Sequence, residues 1–243
     1  QKFVATVCPT GPLNKVHKLA YQVGDLKARV IVAAAPLLPV VDKVREQVDS
    51  LKHVFVVHYA DLLPGQDAAI DLPAELKAAQ QEPRSVPSHC EDFLAVMRAD
   101  AKPAPVSIDM DDIALMTYTS GTTGLPKGAM LSYGNALFKT RAAGDCNGVA
   151  PDDVLLSIAP LYHIAGMLMG VNVPVLSGAT SVLLHRFDPH AVPQAIDKYR
   201  VSWWYSIAPM NVAVMQLPDI ATFDLASLKR NPVTSFGIAF TEP

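Results

Sequence analysis

This 243-residue sequence lacks an excess of charge of either sign: 20 Lys and Arg stand against 23 Asp and Glu, for a net charge of −3. No basic surplus is available to neutralise a nucleic-acid backbone or to hold an anionic membrane. Cysteine is scarce as well. Cys8, Cys90 and Cys146 are far apart, show no metal-ligand or redox spacing, and are odd in number, which argues against a disulfide framework and for a reducing cytosol. Charged residues of all kinds make up only 18% of the chain and hydrophobic ones 50%. That balance suits a globular protein with a sizeable core, in one large domain or two small ones. No long hydrophobic run is unbroken. Residues 154–184 hold no Asp, Glu, Lys or Arg, yet Pro160, Asn172, Pro174, Ser177, Gly178 and Ser181 interrupt them. A buried helix, turn and strand are expected there rather than a membrane span. No internal repeat is visible, which argues against a solenoid.

What is present is one unusual stretch, from Thr117 to Gly128. Ile113–Tyr118 leads into it as a short apolar run with a β-former bias and reads as a buried strand. After it, Ser132 is expected to N-cap a helix running from Tyr133 to Ala143. Between them Thr119, Ser120, Gly121, Thr122, Thr123 and Gly124 mix small hydroxyl residues with glycines, and Lys127 follows. Glycines let the backbone take positive φ and approach an anion closely. Successive N–H groups can form an anion-binding nest. The hydroxyls add donors and Lys127 a full positive charge. The pattern predicts a loop that wraps phosphate. It is not a Walker A loop, which, counted from Gly121, needs Gly at position 126 and Ser or Thr at 128; Pro126 and Gly128 stand there.

Elsewhere the rhythm is helix, strand, helix, strand. Val16, Leu19, Ala20 and Val23 predict an amphipathic helix closed by Gly24, and Val40, Val41, Val44 and Val48 a second. Strands are expected at 28–34 and 53–59, giving a parallel sheet with crossovers. Residues 61–110, broken by Pro64, Pro73, Pro83, Pro87, Pro103 and Pro105, read as a surface excursion with one helix, Glu91–Arg98. Asp109, Asp111 and Asp112 suit either Mg²⁺ or a solvated acidic turn; the turn is preferred because neighbouring strand-edge side chains diverge, and no metal ligand is assigned. Beyond a turn at 150–153, strands are expected at 154–158, 179–184 and 201–207. Asp188-Pro189 reads as the start of a helix with Val192, Ala195, Ile196 and Tyr199 on one face, and Asn211–Gln216 as the start of another. His163 follows an apolar strand and opens an apolar helix, at the strand end where ligands gather in open α/β sheets. Met167, Met169, Trp204, Tyr205 and Met210 could line an apolar tunnel or pack the core.

The run Thr-Ser-Gly-Thr-Thr-Gly-Leu-Pro-Lys-Gly at 119–128 resembles the signature loop of the adenylate-forming (AMP-binding) superfamily, with every position present. That superfamily comprises acyl-CoA synthetases, peptide-synthetase adenylation domains and luciferases. Pro160-Leu161-Tyr162-His163, with Gly166, is similar to its second motif. Pro12–Tyr21 looks like the segment after its first α/β unit, and Leu225-Ala226-Ser227-Leu228-Lys229 like its Leu-x-Ser-Leu-Arg. The end of the chain has two readings. Ser235–Glu242 fits the loop whose backbone lies against adenine, because only residues 230–240 separate Lys229 from Thr241. The alternative is the later Thr-Glu motif.

The resemblance covers essentially the whole chain and points to the acyl-CoA synthetase, or fatty-acid-CoA ligase, branch. It implies an α/β fold of two layered lobes with mostly parallel sheets and flanking helices, as a truncated N-terminal domain. Residues 1–149 would form the first lobe, incomplete at its N-terminus and ending in the phosphate loop and its helix; residues 150–243 would form the second, incomplete at its C-terminus. The implied activity is activation of a medium- or long-chain fatty acid as acyl-AMP, then transfer to coenzyme A. An aryl-CoA or amino-acid-adenylating ligase and a catalytically inactive nucleotide-binding paralogue are the alternatives. ATP, Mg²⁺ and coenzyme A are implied, together with a C-terminal domain of the same polypeptide; the fragment alone is expected to be inactive. Lys127 and His163 take catalytic roles. Thr119, Ser120, Gly121, Thr122, Thr123, Gly124 and Lys127 go to the phosphates, and Gly237, Ile238 and Ala239 to adenine. Tyr162, His163, Gly166, Met167, Trp204, Tyr205 and Met210 go to the acid pocket. A cytoplasmic location is expected, with peripheral membrane association open, and no nucleic-acid partner.

Overall fold

The computed structural model describes residues 5–63, 72–102, 104–119 and 125–234. Contacts divide the chain into two compact units that part between Leu131 and Ser132. The helix after the glycine loop therefore groups with the second unit, whereas the sequence pattern places the end of the first lobe at residue 149.

In the first unit α1 (Val16–Asp25), β1 (Val30–Ala34), α2 (Leu38–Arg45) and β2 (His53–Val57) follow in the expected order. With β3 (Glu91–Asp92) the strands form a parallel sheet, β1-β2-β3. The helical stripes deliver Leu19, Val23, Val41 and Val44 to the core, and strand alternation delivers Ala33, Val54 and Val56. On the other face of β1, Val30 and Val32 are 50% and 51% exposed.

The excursion holds more structure than its prolines suggest. The segment α3 (Ala74–Gln81) is built of strong helix formers behind Pro73 and anchored by buried Leu76, so the expectation of one helix here is corrected to two. The second, α4 (Phe93–Arg98), begins after Asp92, whose carboxylate accepts from Leu94 N and Ala95 N. Glu91 and Asp92 themselves pair with β2 instead of joining the helix. Arg84 ties the excursion down, reaching Asp61 at 2.7 Å and Asp92 at 2.5 Å. Asp109 and Asp112 make the acidic turn: Asp112 Oδ2 accepts from Asp109 N, and Asp109 Oδ1 from Asp111 N. The strand β4 (Ile113–Tyr118) forms where expected and pairs with β5 (Gly128–Ser132), a strand too short and too close to the loop to announce itself by alternation.

The second unit opens on α5 (Tyr133–Cys146). Ser132 caps it as expected and completes a reciprocal box, its hydroxyl accepting from Asn135 N while Asn135 Oδ1 accepts from Ser132 N. The apolar stretch then gives β6 (Val154–Ser157), α6 (Ile164–Met167), a π-helical segment Leu168–Asn172, α7 (Val173–Ser177) and β7 (Thr180–Leu183). No helix among the described residues is long and apolar enough to cross a membrane. After α8 (Ala191–Tyr199) comes β8 (Trp203–Trp204), and the parallel sheet runs β7-β6-β8.

Three local expectations shift. Asp188 does not cap α8 directly: its Oδ1 accepts from His190 N and its carbonyl from Ala191 N, making a turn that feeds the helix three residues later. The single strand expected at 201–207 is two, β8 and β9 (Ser206–Ile207), because β8 pairs with β6 while β9 pairs with β10 (Val233–Thr234). The last helix, α9 (Ala208–Met215), starts earlier than Asn211, with Pro209 in its first turn where a missing N–H costs nothing. Arg230 staples this unit: its guanidinium reaches both Asp153 oxygens at 2.5 and 2.6 Å, the Asn147 carbonyl at 3.1 Å and the Gly148 carbonyl.

Candidate functional site

The glycine loop leaves β4 at Tyr118 and returns into β5 at Gly128. Of the residues expected at the phosphates, Thr119 and Lys127 are described, while Ser120, Gly121, Thr122, Thr123 and Gly124 lie outside the described residues, as do Gly237, Ile238, Ala239 and Thr241-Glu242. Thr119 and Lys127 close the neck of the loop on each other. Thr119 N donates to the Lys127 carbonyl at 3.0 Å, and Lys127 N donates to Thr119 Oγ1 at 3.1 Å. The Thr119 hydroxyl thus spends a lone pair on the neck and keeps its own proton to donate. Lys127 is exposed.

His163 is the N-cap of α6, with its Nδ1 accepting from Ala165 N at 3.2 Å. An accepting Nδ1 leaves Nε2 to carry the proton of the neutral ring, so this exposed side chain presents an N–H donor. Gly166 is dictated by packing: a Cβ there would lie 2.2 Å from the Pro160 carbonyl oxygen and 2.7 Å from that of Ala159. Any side chain would push the first turn of α6 off the end of β6 and carry His163 with it. The π-helical segment that follows is a geometry often found at functional sites.

The expected acid-pocket residues separate into two groups. Gly166 and Tyr205 line a cavity of about 10 Å³ together with Ser157, Met169 and Gly170, room for one water molecule. Tyr205 stacks on Trp203, centroids 6.4 Å apart. Trp204 is fully buried on the opposite face of the sheet, against Val192 and Ile196, with Met210 packed on the same cluster. Tyr162 is exposed and Met167 half-buried beside His163. Among the described residues no three His, Cys, Asp or Glu side chains converge as a metal site. Asp109 and Asp112 each accept one backbone N–H of their own turn, the acidic turn preferred from the sequence.

Sequence reasoning missed the groups around the loop neck. Tyr21 on α1 donates to the Pro126 carbonyl at 3.1 Å, and Tyr118 donates to Asp25 Oδ2 at 2.5 Å. Neither pairing has a local signal, since the partners are 105 and 93 residues apart.

Comparison with known proteins bears on this arrangement. A family model described as AMP-binding enzyme matches residues 1–237. The feruloyl-CoA synthase of Amycolatopsis sp is 37% identical over 131 residues, covering 54% of this chain and 27% of the relative. The long-chain-fatty-acid–CoA ligase of Bacillus subtilis (strain 168) is 27% identical over 228 residues, covering 92% of this chain and 40% of the relative. The chain therefore spans well under half the length of these relatives. The crystal structure of an anthranilate CoA ligase in complex with anthranoyl-AMP superposes with a TM-score of 0.77 at 21% identity, over 96% of this chain and 41% of that one, and so shares its fold. With a match running from the first residue through residue 237, this chain belongs to the AMP-binding enzyme family.

Proposed function

We propose that this chain is part of an ATP-dependent acyl-CoA synthetase, acting on a medium- or long-chain fatty acid. The observation that carries the reading is the closed neck between Thr119 and Lys127, which sets a hydroxyl- and glycine-rich loop and an exposed lysine at the end of β4. In the proposed reaction a carboxylate oxygen attacks the α-phosphorus of ATP, pyrophosphate leaves, and the thiol of coenzyme A then displaces AMP from the acyl-adenylate. Thr119, Ser120, Gly121, Thr122, Thr123, Gly124 and Lys127 hold the β- and γ-phosphates, with Lys127 balancing charge on the departing pyrophosphate. His163 donates from Nε2 to one carboxylate oxygen and so leaves the other to attack. Gly237, Ile238 and Ala239 are assigned to adenine on the motif alone. Tyr162, Gly166, Met167, Trp204, Tyr205 and Met210 are assigned to the acyl side, of which Gly166 and Tyr205 share one cavity. A further domain of the same polypeptide supplies the remaining catalytic groups, and the protein works in the cytoplasm.

The long match to a fatty-acid ligase supports the fatty-acyl reading. A second reading, an aryl-CoA ligase, is supported by the more identical but shorter match to a feruloyl-CoA synthase. ATP–pyrophosphate exchange with a panel of fatty and aryl acids, run on this chain and on a full-length polypeptide carrying it, separates the two. Exchange by the full-length protein, strongest with fatty acids and abolished by His163→Ala, is expected, with little from the chain alone. Strongest exchange with aryl acids would select the second reading. ATP binding without exchange by the full-length protein would select an inactive nucleotide-binding paralogue.

A further inference from the structure

Helix α1 does more than cover the first sheet. Tyr21 and Asp25 stand four residues apart on it, so both side chains leave the same face. Each reaches a different arm of the glycine loop. Tyr118 is the last residue of the entering arm before Thr119, and its hydroxyl donates to Asp25 Oδ2 at 2.5 Å. Pro126 is the last residue of the returning arm before Lys127, and its carbonyl accepts from the Tyr21 hydroxyl at 3.1 Å. The two rings meet edge to face, centroids 6.4 Å apart at 76°. The arms are also pressed together beneath the neck: a Cβ at Gly128 would lie 2.8 Å from Met116 Cε and 3.3 Å from Tyr118 Cζ.

We propose that Tyr21, Asp25 and Tyr118 are positioning residues that clamp both arms of the glycine loop to α1, and so set where Lys127 meets the phosphates of a nucleoside triphosphate. The inference rests on the nucleotide reading above. Its physical basis is preorganisation. The Thr119–Lys127 hydrogen bonds fix the arms to each other but not to the rest of the unit; Val7 holds the middle of β4, and α1, packed on the first sheet through Leu19 and Val23, supplies the reference at the loop end. Burial and the adjoining Asp25 carboxylate push the Tyr118 hydroxyl above the ordinary tyrosine range, which keeps it a donor to Asp25.

Three single variants, Tyr21→Phe, Asp25→Ala and Tyr118→Phe, and the double variant Asp25→Ala/Tyr118→Phe, which removes both ends of one bond, test the clamp in the full-length polypeptide that carries this chain. Two readouts are needed: ATP binding by calorimetry, and the rate of tryptic cleavage after Lys127, with thermal unfolding as a check on folding. Each single variant is expected to weaken ATP binding about two- to tenfold and to speed cleavage after Lys127 by a similar factor, the span of one ordinary hydrogen bond. Cleavage at other sites should stay unchanged. The double variant should be no worse than the worse of its two singles, because both remove one bond. Unchanged ATP affinity in folded variants of a chain that binds ATP overturns the positioning role and leaves the nucleotide reading standing. Failure of the wild-type full-length protein to bind ATP overturns the nucleotide reading, and the positioning role with it, whatever the protease shows. Equal acceleration at all tryptic sites also overturns the clamp, since it would mark general loosening.

Discussion

The sheets β1-β2-β3 and β7-β6-β8 are both parallel and three-stranded, yet they are covered differently. In the second, adjacent residues of one strand enter different cores. Leu155 packs with Met169, Val173 and Trp203, while Leu156 packs with Val192, Ala195, Ile196 and Trp204. The π-helical segment and α7 supply one side, α8 the other. In the first sheet Ala33, Val54 and Val56 fill one core, but Val30 and Val32 leave half of their surface in water. The fastenings differ in the same sense. The first unit relies on Arg84, shared between Asp61 and Asp92, and on His53–Glu91 and His89–Asp42 pairs whose side chains are largely exposed. The second relies on buried Asp153, held by Arg230 and Ser202. Parallel sheets are normally covered on both faces, and only the second sheet has that cover among the described residues.

The comparison predicts a graded set of losses, and the chain carries its own reporter. Its two tryptophans are Trp203 and Trp204, so intrinsic fluorescence follows the second sheet alone while far-UV circular dichroism follows both. The largest effect is expected from Trp204→Ala, about 3–5 kcal/mol by urea denaturation read on Trp203. Trp204→Phe should cost less than its lost area suggests, because the buried Trp204 indole N–H has no partner among the described residues and its removal relieves a desolvated donor. A loss as large for Phe as for Ala would break that account.

The next effect is electrostatic. Burial by itself would raise the Asp153 carboxyl, but hydrogen bonds from Ala150 N and Ser202 and the Arg230 guanidinium outweigh it and leave it below its ordinary 3.8. A carboxylate depressed in the folded state stabilises above its unfolded value, and the gain disappears as pH falls through the folded one. Asp153→Asn should therefore cost about 2–3 kcal/mol at neutral pH, leaving Arg230 uncompensated, and the gap to wild type should close below about pH 4. A gap constant down to about pH 2.5 would remove the charge from the explanation. The smallest pair of effects sharpens the contrast within the first sheet. Val54→Ala, 1% exposed, should cost about 1–3 kcal/mol, and Val32→Ala under about 0.5 kcal/mol. Equal losses would mean that the outer face of β1 is covered after all.

Much of this architecture is legible in the sequence. The helical stripe at Val16, Leu19, Ala20 and Val23, the strand at Ile113–Tyr118 and the cap at Ser132 each depend on neighbours within a turn or two, and each forms as the pattern predicts, although the first helix runs through Gly24 to Asp25 instead of closing at the glycine. The pattern misleads where local signals compete. Prolines mask α3 although Ala74–Gln81 is strongly helix-forming, and Asp188-Pro189 builds a turn before α8 rather than its cap. The run Val201–Ile207 reads as one strand because its residues favour extended backbone throughout; its split into two follows from a change of partner at Tyr205, from β6 to β10. Of the candidate site, the neck residues Thr119 and Lys127 and the capping His163 are readable from motif and spacing. The division of the acid-pocket residues is not: Trp204 and Tyr205 are neighbours in the chain, and alternation sends them to opposite faces of the sheet.

The sequence by itself determined the order of helices and strands, the glycine loop between β4 and β5, and membership of a family, because period, capping and motif spacing are properties of short stretches of chain. Only the tertiary structure decided that α1 reaches both arms of that loop, that Gly166 must be glycine because the Pro160 carbonyl occupies the space a Cβ would need, and that, among the described residues, one sheet is covered on two faces and the other on one. Those outcomes rest on contacts between residues distant in the chain, and no local pattern encodes which of many compatible partners a side chain meets.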